Sequence, residues 1–275
     1  MKKILVPTDF SEQAESALKV AAQLAKKYQS QIYLLHIIEL PVHLVDLMAT
    51  PTPSAPEAIY FMKETHKKFE ELLAKEYLNG IEVHETVSFE DIREGVMSTC
   101  TKNMIDFIVM GSHGSSGFEE FFIGSNAEKI VRFAKQPVLV IKEDCDVFNI
   151  GSVVYATNFE VEEKPAIAAI ANFAKQIEAQ LHVVWINTAS SFKSTKEAED
   201  EMKNMLSGID VVQPSLSIYN DTNVEKGILN FAESVNAGLI GIGTHGRKGL
   251  SHFINGSVGE DVVNHAKRPV LTYKI

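Results

Sequence analysis

Gly243-Thr-His-Gly-Arg-Lys-Gly-Leu-Ser-His-Phe-Ile-Asn-Gly256-Ser257 decides how this chain is read, because it occurs twice. The other copy is Gly111-Ser-His-Gly-Ser-Ser-Gly-Phe-Glu-Glu-Phe-Phe-Ile-Gly124-Ser125. In both, Gly-x-His-Gly is followed, after nine residues, by Gly-Ser. Each copy follows a short apolar run, Phe107 to Met110 or Leu239 to Ile242, and each leads into a helical pattern that starts at the Ser. A strand, a glycine-rich turn and a helix N-terminus together form an anion site. Glycine lets the backbone approach closely, and unpaired N–H groups and the helix dipole favour phosphate. The pattern predicts a nucleotide-phosphate cradle, present in duplicate.

Working outward, Lys3 to Pro7 reads as a buried strand ended by proline, and Ser11 as a helix N-cap with Glu12 and Glu15 behind it. Ala14, Ala17, Leu18, Ala21, Ala22, Leu24 and Ala25 recur at helical spacing, and Ile32 to Ile38 forms a second strand. Residues 39–57 hold four prolines and read as a long loop or lid. A helix from Ala58 to about Leu78, a strand from Ile81, a helix from Glu90 and a strand from Ile105 lead to the first glycine loop. A helix over Asn126 to Ala134 and a strand over Pro137 to Ile141 follow it.

The pattern then restarts. Ser152 to Thr157 matches Lys3 to Thr8; helices are expected from Ala166, Phe192, Val224 and Val258, and strands from Leu181, Val211, Leu239 and Pro269. Pro214 should interrupt the strand from Val211. Thr8 pairs with Thr157 and His36 with Trp185 at an offset of 149; Gly95 pairs with Gly227 and Gly111 with Gly243 at 132. The lost 17 residues fall in and after the proline-rich stretch. The expected fold is α/β: two repeats of a doubly wound, five-stranded parallel sheet, with domains over 1–142 and 151–275. Ligands of such sheets bind at the carboxyl ends of strands where strand order reverses, which places Thr8-Asp9 and the glycine loop on opposite sides of one crevice.

A formal net charge of −10 with no basic stripe argues against a nucleic-acid partner. No stretch approaches the ~18–20 apolar residues of a membrane span, and the basic start carries too short an apolar run for a signal peptide. Two cysteines, Cys100 and Cys145, give neither a disulfide framework nor a metal site, so a cytoplasmic location is expected.

Val-Pro-Thr-Asp-Phe-Ser at 6–11, Leu-Leu-His-Ile at 34–37, Met-Gly-Ser-His-Gly at 110–114, Gly124-Ser125 and Pro137-Val-Leu-Val resemble the universal stress protein family. The chain is similar to a tandem member of that family's ATP-binding branch, which carries Gly-x-x-Gly, nine residues, then Gly-Ser or Gly-Thr. The resemblance implies an ATP site (or one for ADP or AMP), with Mg2+ as a candidate companion ion. Asp9, after Pro7 and Thr8, would hold the ribose; the backbone of Ile37 would read the adenine; and Met110 would line the base pocket. Gly111, Gly114, Gly124, Ser125 and Asn126 would wrap the phosphates, with His113 in the turn. The corresponding set in the second repeat is Thr157, Asn158, Ile186, Ile242, Gly243, Gly246, Gly256, Ser257 and Val258. The family also pairs subunits through its fifth strand, which a tandem chain can do internally; a further homodimer and a protein partner stay open.

The copies differ. The second has Asn158 where the pattern carries Asp, whereas the first has Ser115 and Ser116 where the second has Arg247 and Lys248. Arg247 would add a charge-assisted phosphate contact. Because backbone amides already serve phosphate, the first repeat is expected to bind better. No Walker lysine or clear catalytic base is present. The function expected is therefore an ATP-binding stress-response regulator with little or no catalysis; a slow ATPase and a dimerisation scaffold without ligand are the alternatives.

Overall fold

The computed structural model describes residues 1–38, 55–113, 123–144, 147–244 and 258–275. The first repeat contributes β1 (Lys3–Pro7), β2 (Gln31–Ile37), β3 (Val83–Ser88), β4 (Phe107–Gly111) and β5 (Val138–Ile141), with α1 (Glu12–Tyr28), α2 (Ala55–Leu73), α3 (Ile92–Asn103) and α4 (Ser125–Phe133). The second contributes β6 (Ser152–Ala156), β7 (Gln180–Asn187), β8 (Ser215–Asn220), β9 (Leu239–Thr244) and β10 (Val270–Lys274), with α5 (Lys164–Ile177), α6 (Thr195–Leu206), α7 (Val224–Ser234) and α8 (Val258–His265).

All ten strands join one sheet of order β3-β2-β1-β4-β5-β10-β9-β6-β7-β8. Each half runs 3-2-1-4-5, the doubly wound order, and its strands are parallel. The halves meet where β10 pairs antiparallel with β5, Val270 opposite Val140, Leu271 opposite Leu139 and Thr272 opposite Val138. Leu139 and Leu271 are equivalent positions of the two repeats, so a pseudo-twofold axis passes through that pair. The two repeats therefore form a pseudo-dimer within one chain.

Strand residues alternate between two cores, one on each face of the sheet. Ile4, Val6, Ile32, Leu34, Val109 and Leu139 face the layer of α1 and α5. Leu5, Leu35, Ile108, Met110 and Val140 face the layer of α3, α4, α7 and α8. Each fully buried aliphatic side chain of this kind contributes roughly 1.5–3 kcal/mol. Both cores draw on both repeats and run unbroken across the seam. There Phe107 of β4 stacks on Phe173 of α5 at a centroid distance of 5.4 Å, and the Tyr28 hydroxyl donates to the Gln176 carbonyl at 2.6 Å.

Ser11 caps α1 as expected, accepting from the Ala14 amide. Other boundaries differ from the sequence pattern. The helix expected to reach Leu78 stops at Leu73, and a separate 3-10 turn covers Glu76–Leu78; that turn buries Leu78 and brings the Tyr77 hydroxyl to Glu15 on α1. The proline-rich stretch lies outside the described residues up to 54, and its last part is already helical from Ala55. The strand expected from Val211 begins only at Ser215. Pro214 has no N–H to give a ladder, and Gln213 before it sits at φ 40°. The helix expected from Phe192 starts at Thr195, because Ser194 and Glu197 form a capping box.

Phe107 is buried against the other repeat's Phe173, so Phe107→Ala should cost roughly 3–5 kcal/mol. Denaturant titration checks this; a loss below about 1 kcal/mol would mean that the core is not shared across the seam.

Candidate functional site

In a sheet of this order the connections leave β1 and β4 in opposite directions and open a crevice at their carboxyl ends. In the first repeat that crevice is a cleft of about 320 Å³. Pro7, Thr8, Asp9, Ile37, Met110, Gly111, His113, Gly124, Ser125 and Asn126 all line it. Gly114, the remaining expected residue of this repeat, lies outside the described residues.

One wall is the turn after β1. The Phe10 amide donates to Thr8 Oγ1 at 3.0 Å and the Ser11 amide to Asp9 Oδ1 at 3.0 Å. These bonds hold Phe10 at φ 64°, a left-handed conformation uncommon for an aromatic residue. His36 Nδ1 donates to the Thr8 carbonyl at 2.8 Å, and its ring lies 4.7 Å from that of Phe10. The Asp9 carboxylate is exposed at the mouth.

The opposite wall is the end of β4 and the start of α4. Ser112 is fully buried; its amide donates to the Ile141 carbonyl at 2.9 Å, and its own carbonyl accepts from the Gly124 amide at 2.7 Å. That last bond ties the far end of the glycine loop back to its beginning. Gly124 is the N-cap of α4 and has no side chain to bond the first-turn amides, so the Ser125 and Asn126 N–H groups, which lack helical partners, stand at the cleft. Gly111 is required for packing: a Cβ there would lie 2.8 Å from the Gln13 carbonyl oxygen. His113 Nδ1 pairs with Ser112 Oγ at 2.9 Å, whereas its buried Nε2 has no partner among the described residues. Burial, and then the nearby Lys142 ammonium, hold the His113 imidazole below its ordinary value.

The floor was only partly foreseen. Leu35 and Ile92 supply apolar surface beside Ile37 and Met110, and Ser112 joins the polar wall. Gly95 on α3 is the signal that could have pointed to Ile92: its Cβ would come within 2.6 Å of Ile37 Cδ1, so α3 lies directly against the end of β2. Gly227 repeats this against Ile186 at 2.3 Å.

The second repeat copies the turn after β6. Phe159 sits at φ 65°, its amide donates to Thr157 Oγ1 at 3.0 Å, and the Glu160 amide donates to Asn158 Oδ1 at 2.9 Å. The support beneath differs. Trp185 replaces His36 and donates instead to Asn187 Oδ1 at 3.4 Å. Buried Glu163, at the position of Ala14, accepts from Thr157 Oγ1 at 2.7 Å and from the Asn158 amide at 3.2 Å. Ile186 and Ile242 are buried, while Gly243 and Val258 are half-buried. Gly246, Arg247, Gly256 and Ser257 lie outside the described residues.

Elsewhere, Cys100 is buried on α3 and its thiol is pushed up to about 12 by desolvation, which leaves it unreactive. Among the described residues no helix is long and apolar enough to cross a membrane.

The family model described as "Universal stress protein family" matches residues 1–142 and again 149–274. A universal stress protein of Synechocystis sp. is 24% identical over the whole of both chains. One from Methanocaldococcus jannaschii is 30% identical, covering 51% of this chain and 94% of its own length. The crystal structure of a universal stress protein from Archaeoglobus fulgidus superposes with a TM-score of 0.71 at 21% identity, over 99% of this chain and 98% of that one, and shares its fold.

Burial holds the His36 imidazole below 6.5, against the smaller opposing effect of its bond to Thr8. A folded value below the unfolded one means the stability tied to neutral His36 is complete above 6.5 and is lost as pH falls through the folded value. The thermal midpoint should therefore fall less between pH 7 and pH 5 in His36→Gln than in the unaltered protein. Parallel pH profiles would contradict this.

Proposed function

The chain belongs to the universal stress protein family, and on that premise we propose that it is an adenine-nucleotide-binding regulatory protein whose preferred site is the β1/β4 cleft of its first repeat. The observation that carries this is the convergence, around one cleft, of residues from four separate stretches of the chain: Asp9 on one wall, Ile37 and Met110 in the floor, and the Gly124-Ser125-Asn126 helix start on the other wall. The cleft's 320 Å³ falls in the roughly 300–1,000 Å³ range of small-molecule sites.

In this reading Asp9 accepts hydrogen bonds from the ribose hydroxyls, and the Ile37 backbone beside an apolar floor takes the adenine. The first-turn amides of α4, favoured by the helix dipole, take the phosphates. When Ser112 donates to His113 Nδ1, the buried Nε2 carries a proton with no partner among the described residues, a further donor held beside the phosphate wall. Among the described residues no three metal-ligating side chains gather, so Mg2+ would arrive with the nucleotide's own phosphates. Among the described residues, the carboxylate that lines the cleft, Asp9, stands on the β1 side, away from the phosphate wall. The role supported is binding and reporting of nucleotide state rather than turnover. A cytoplasmic setting, domains bounded near 1–142 and 151–275, and a protein partner that reads the state belong to the same proposal.

The second repeat is the weaker site in this reading. A hydrogen bond to a charged acceptor is worth roughly 1.5–3 kcal/mol against about 1 for a neutral one, so Asn158 forfeits part of the ribose contact. Calorimetric titration with ATP should give a stoichiometry near one. Asp9→Ala should weaken binding by about 10- to 100-fold and Asn158→Ala by less than about threefold. The reverse order would assign the main site to the second repeat, and absence of any ATP binding would overturn the proposal.

A further inference from the structure

The first repeat's cleft is held in shape by a residue of the second. Asn264, in the last turn of α8, accepts the Ile123 amide on Oδ1 at 3.1 Å. Its own carbonyl accepts from Lys142 Nζ at 3.2 Å, at the end of β5. Ile123 immediately precedes Gly124, whose amide is bound by the Ser112 carbonyl at 2.7 Å. Two successive N–H groups are thus anchored from two sides, one by the first repeat and one by the second. The amides that follow, those of Ser125 and Asn126, take their direction from that pair. Anchoring fixes donors before a ligand arrives, so less ordering is left to oppose binding.

The matching position of the first repeat also crosses the seam, to a different partner position. Asn264 and Arg132 are equivalent positions of the two repeats, 132 residues apart. Arg132, in the last turn of α4, crosses the seam to Glu260 in the first turn of α8, with Nε and Nη2 at 2.9 and 2.6 Å from Oε1. The same guanidinium holds Glu128 in the first turn of its own α4 at 3.0 Å. A carboxylate in that turn would repel a phosphate, and Arg132 offsets both.

We infer that Asn264 is a positioning residue for the first repeat's phosphate wall, so that this site is complete only when the second repeat is docked across β5 and β10. The inference rests on the nucleotide reading of the cleft. It makes the coupling selective for phosphate, because the brace acts on the α4 side and leaves Asp9, Ile37 and Met110 untouched.

Titration of the full chain with ATP and with adenosine tests it. Asn264→Leu keeps the branched shape and heavy-atom count and removes the acceptor. It should weaken ATP binding about tenfold, the value of one lost hydrogen bond, while adenosine affinity stays within about twofold. Asn264→Gln, which keeps a neutral amide acceptor, should lose less ATP affinity than Asn264→Leu. Equal losses for ATP and adenosine, or no loss for ATP, would overturn the inference. If the Leu variant does not melt cooperatively, hydrogen exchange of the unaltered protein decides: slow exchange of the Ile123 amide supports the brace, and exchange at the rate of an open loop overturns it. A protein that binds neither ligand would sink the nucleotide reading, while the exchange result would still report on the brace.

Discussion

The structure depends on the antiparallel pairing of β5 with β10. Each repeat alone would end in a short strand with the backbone N–H and C=O groups of one edge unpaired: wholly apolar Val138 to Ile141 in the first, and Val270 to Lys274, which opens Val-Leu, in the second. Such an edge invites association with any other strand. Pairing the two edges satisfies these groups and seals the apolar cores on both faces of the sheet. The edges that remain, β3 and β8, are half-buried and carry polar side chains such as His84, Glu85, Ser215 and Ser217, so the exposed ends are the ones least suited to further pairing. The pseudo-twofold arrangement thus follows from where the apolar edges lie.

The seam also sets what surrounds the candidate site. Docking β5 on β10 brings α4 and α8 together on one face: the last turn of α4 reaches the first turn of α8, and the last turn of α8 reaches Ile123, just ahead of α4. A duplicated unit would give two equivalent contacts, but Arg132 and Asn264 have diverged, so one crossing is ionic and the other a neutral hydrogen bond. The turns after β1 and β6 show the same behaviour. Both keep a left-handed Phe and a Thr side chain folded onto the backbone, yet His36 steadies one and Glu163 the other. The backbone geometry has been retained while the side chains that maintain it have changed, which is what freedom to replace one hydrogen-bond partner by another allows.

Much of the fold was legible because it rests on periodicity. Buried parallel strands read as unbroken apolar runs, and helices as a repeat near 3.6 residues, wherever the pattern is not interrupted. The reading weakened where local chemistry overruled the pattern. At Leu73 the apolar spacing continues but the chain turns to place Tyr77 and Leu78 against α1. At Ser194 and Glu197 a capping box, rather than the apolar residue before it, sets the helix start. At Pro214 the expected interruption is there, and the missing N–H moves the start of the strand from Val211 to Ser215.

By itself, the sequence determined the repeat, the strand order class and the two glycine loops, because glycine spacing and apolar runs are local properties of the chain. From Thr8-Asp9 and the loop after β4 it also determined which ends of which strands would face one another, since a doubly wound sheet has only one place where strand order reverses. Only the tertiary structure decided what lies beneath and behind those residues. Ile92 reaches the cleft floor because α3 packs against the end of β2 at Gly95. Asn264 reaches Ile123 across 141 positions of sequence because two strands pair antiparallel at Leu139 and Leu271. Contacts between distant segments depend on how whole elements dock, and no local pattern in the chain records that.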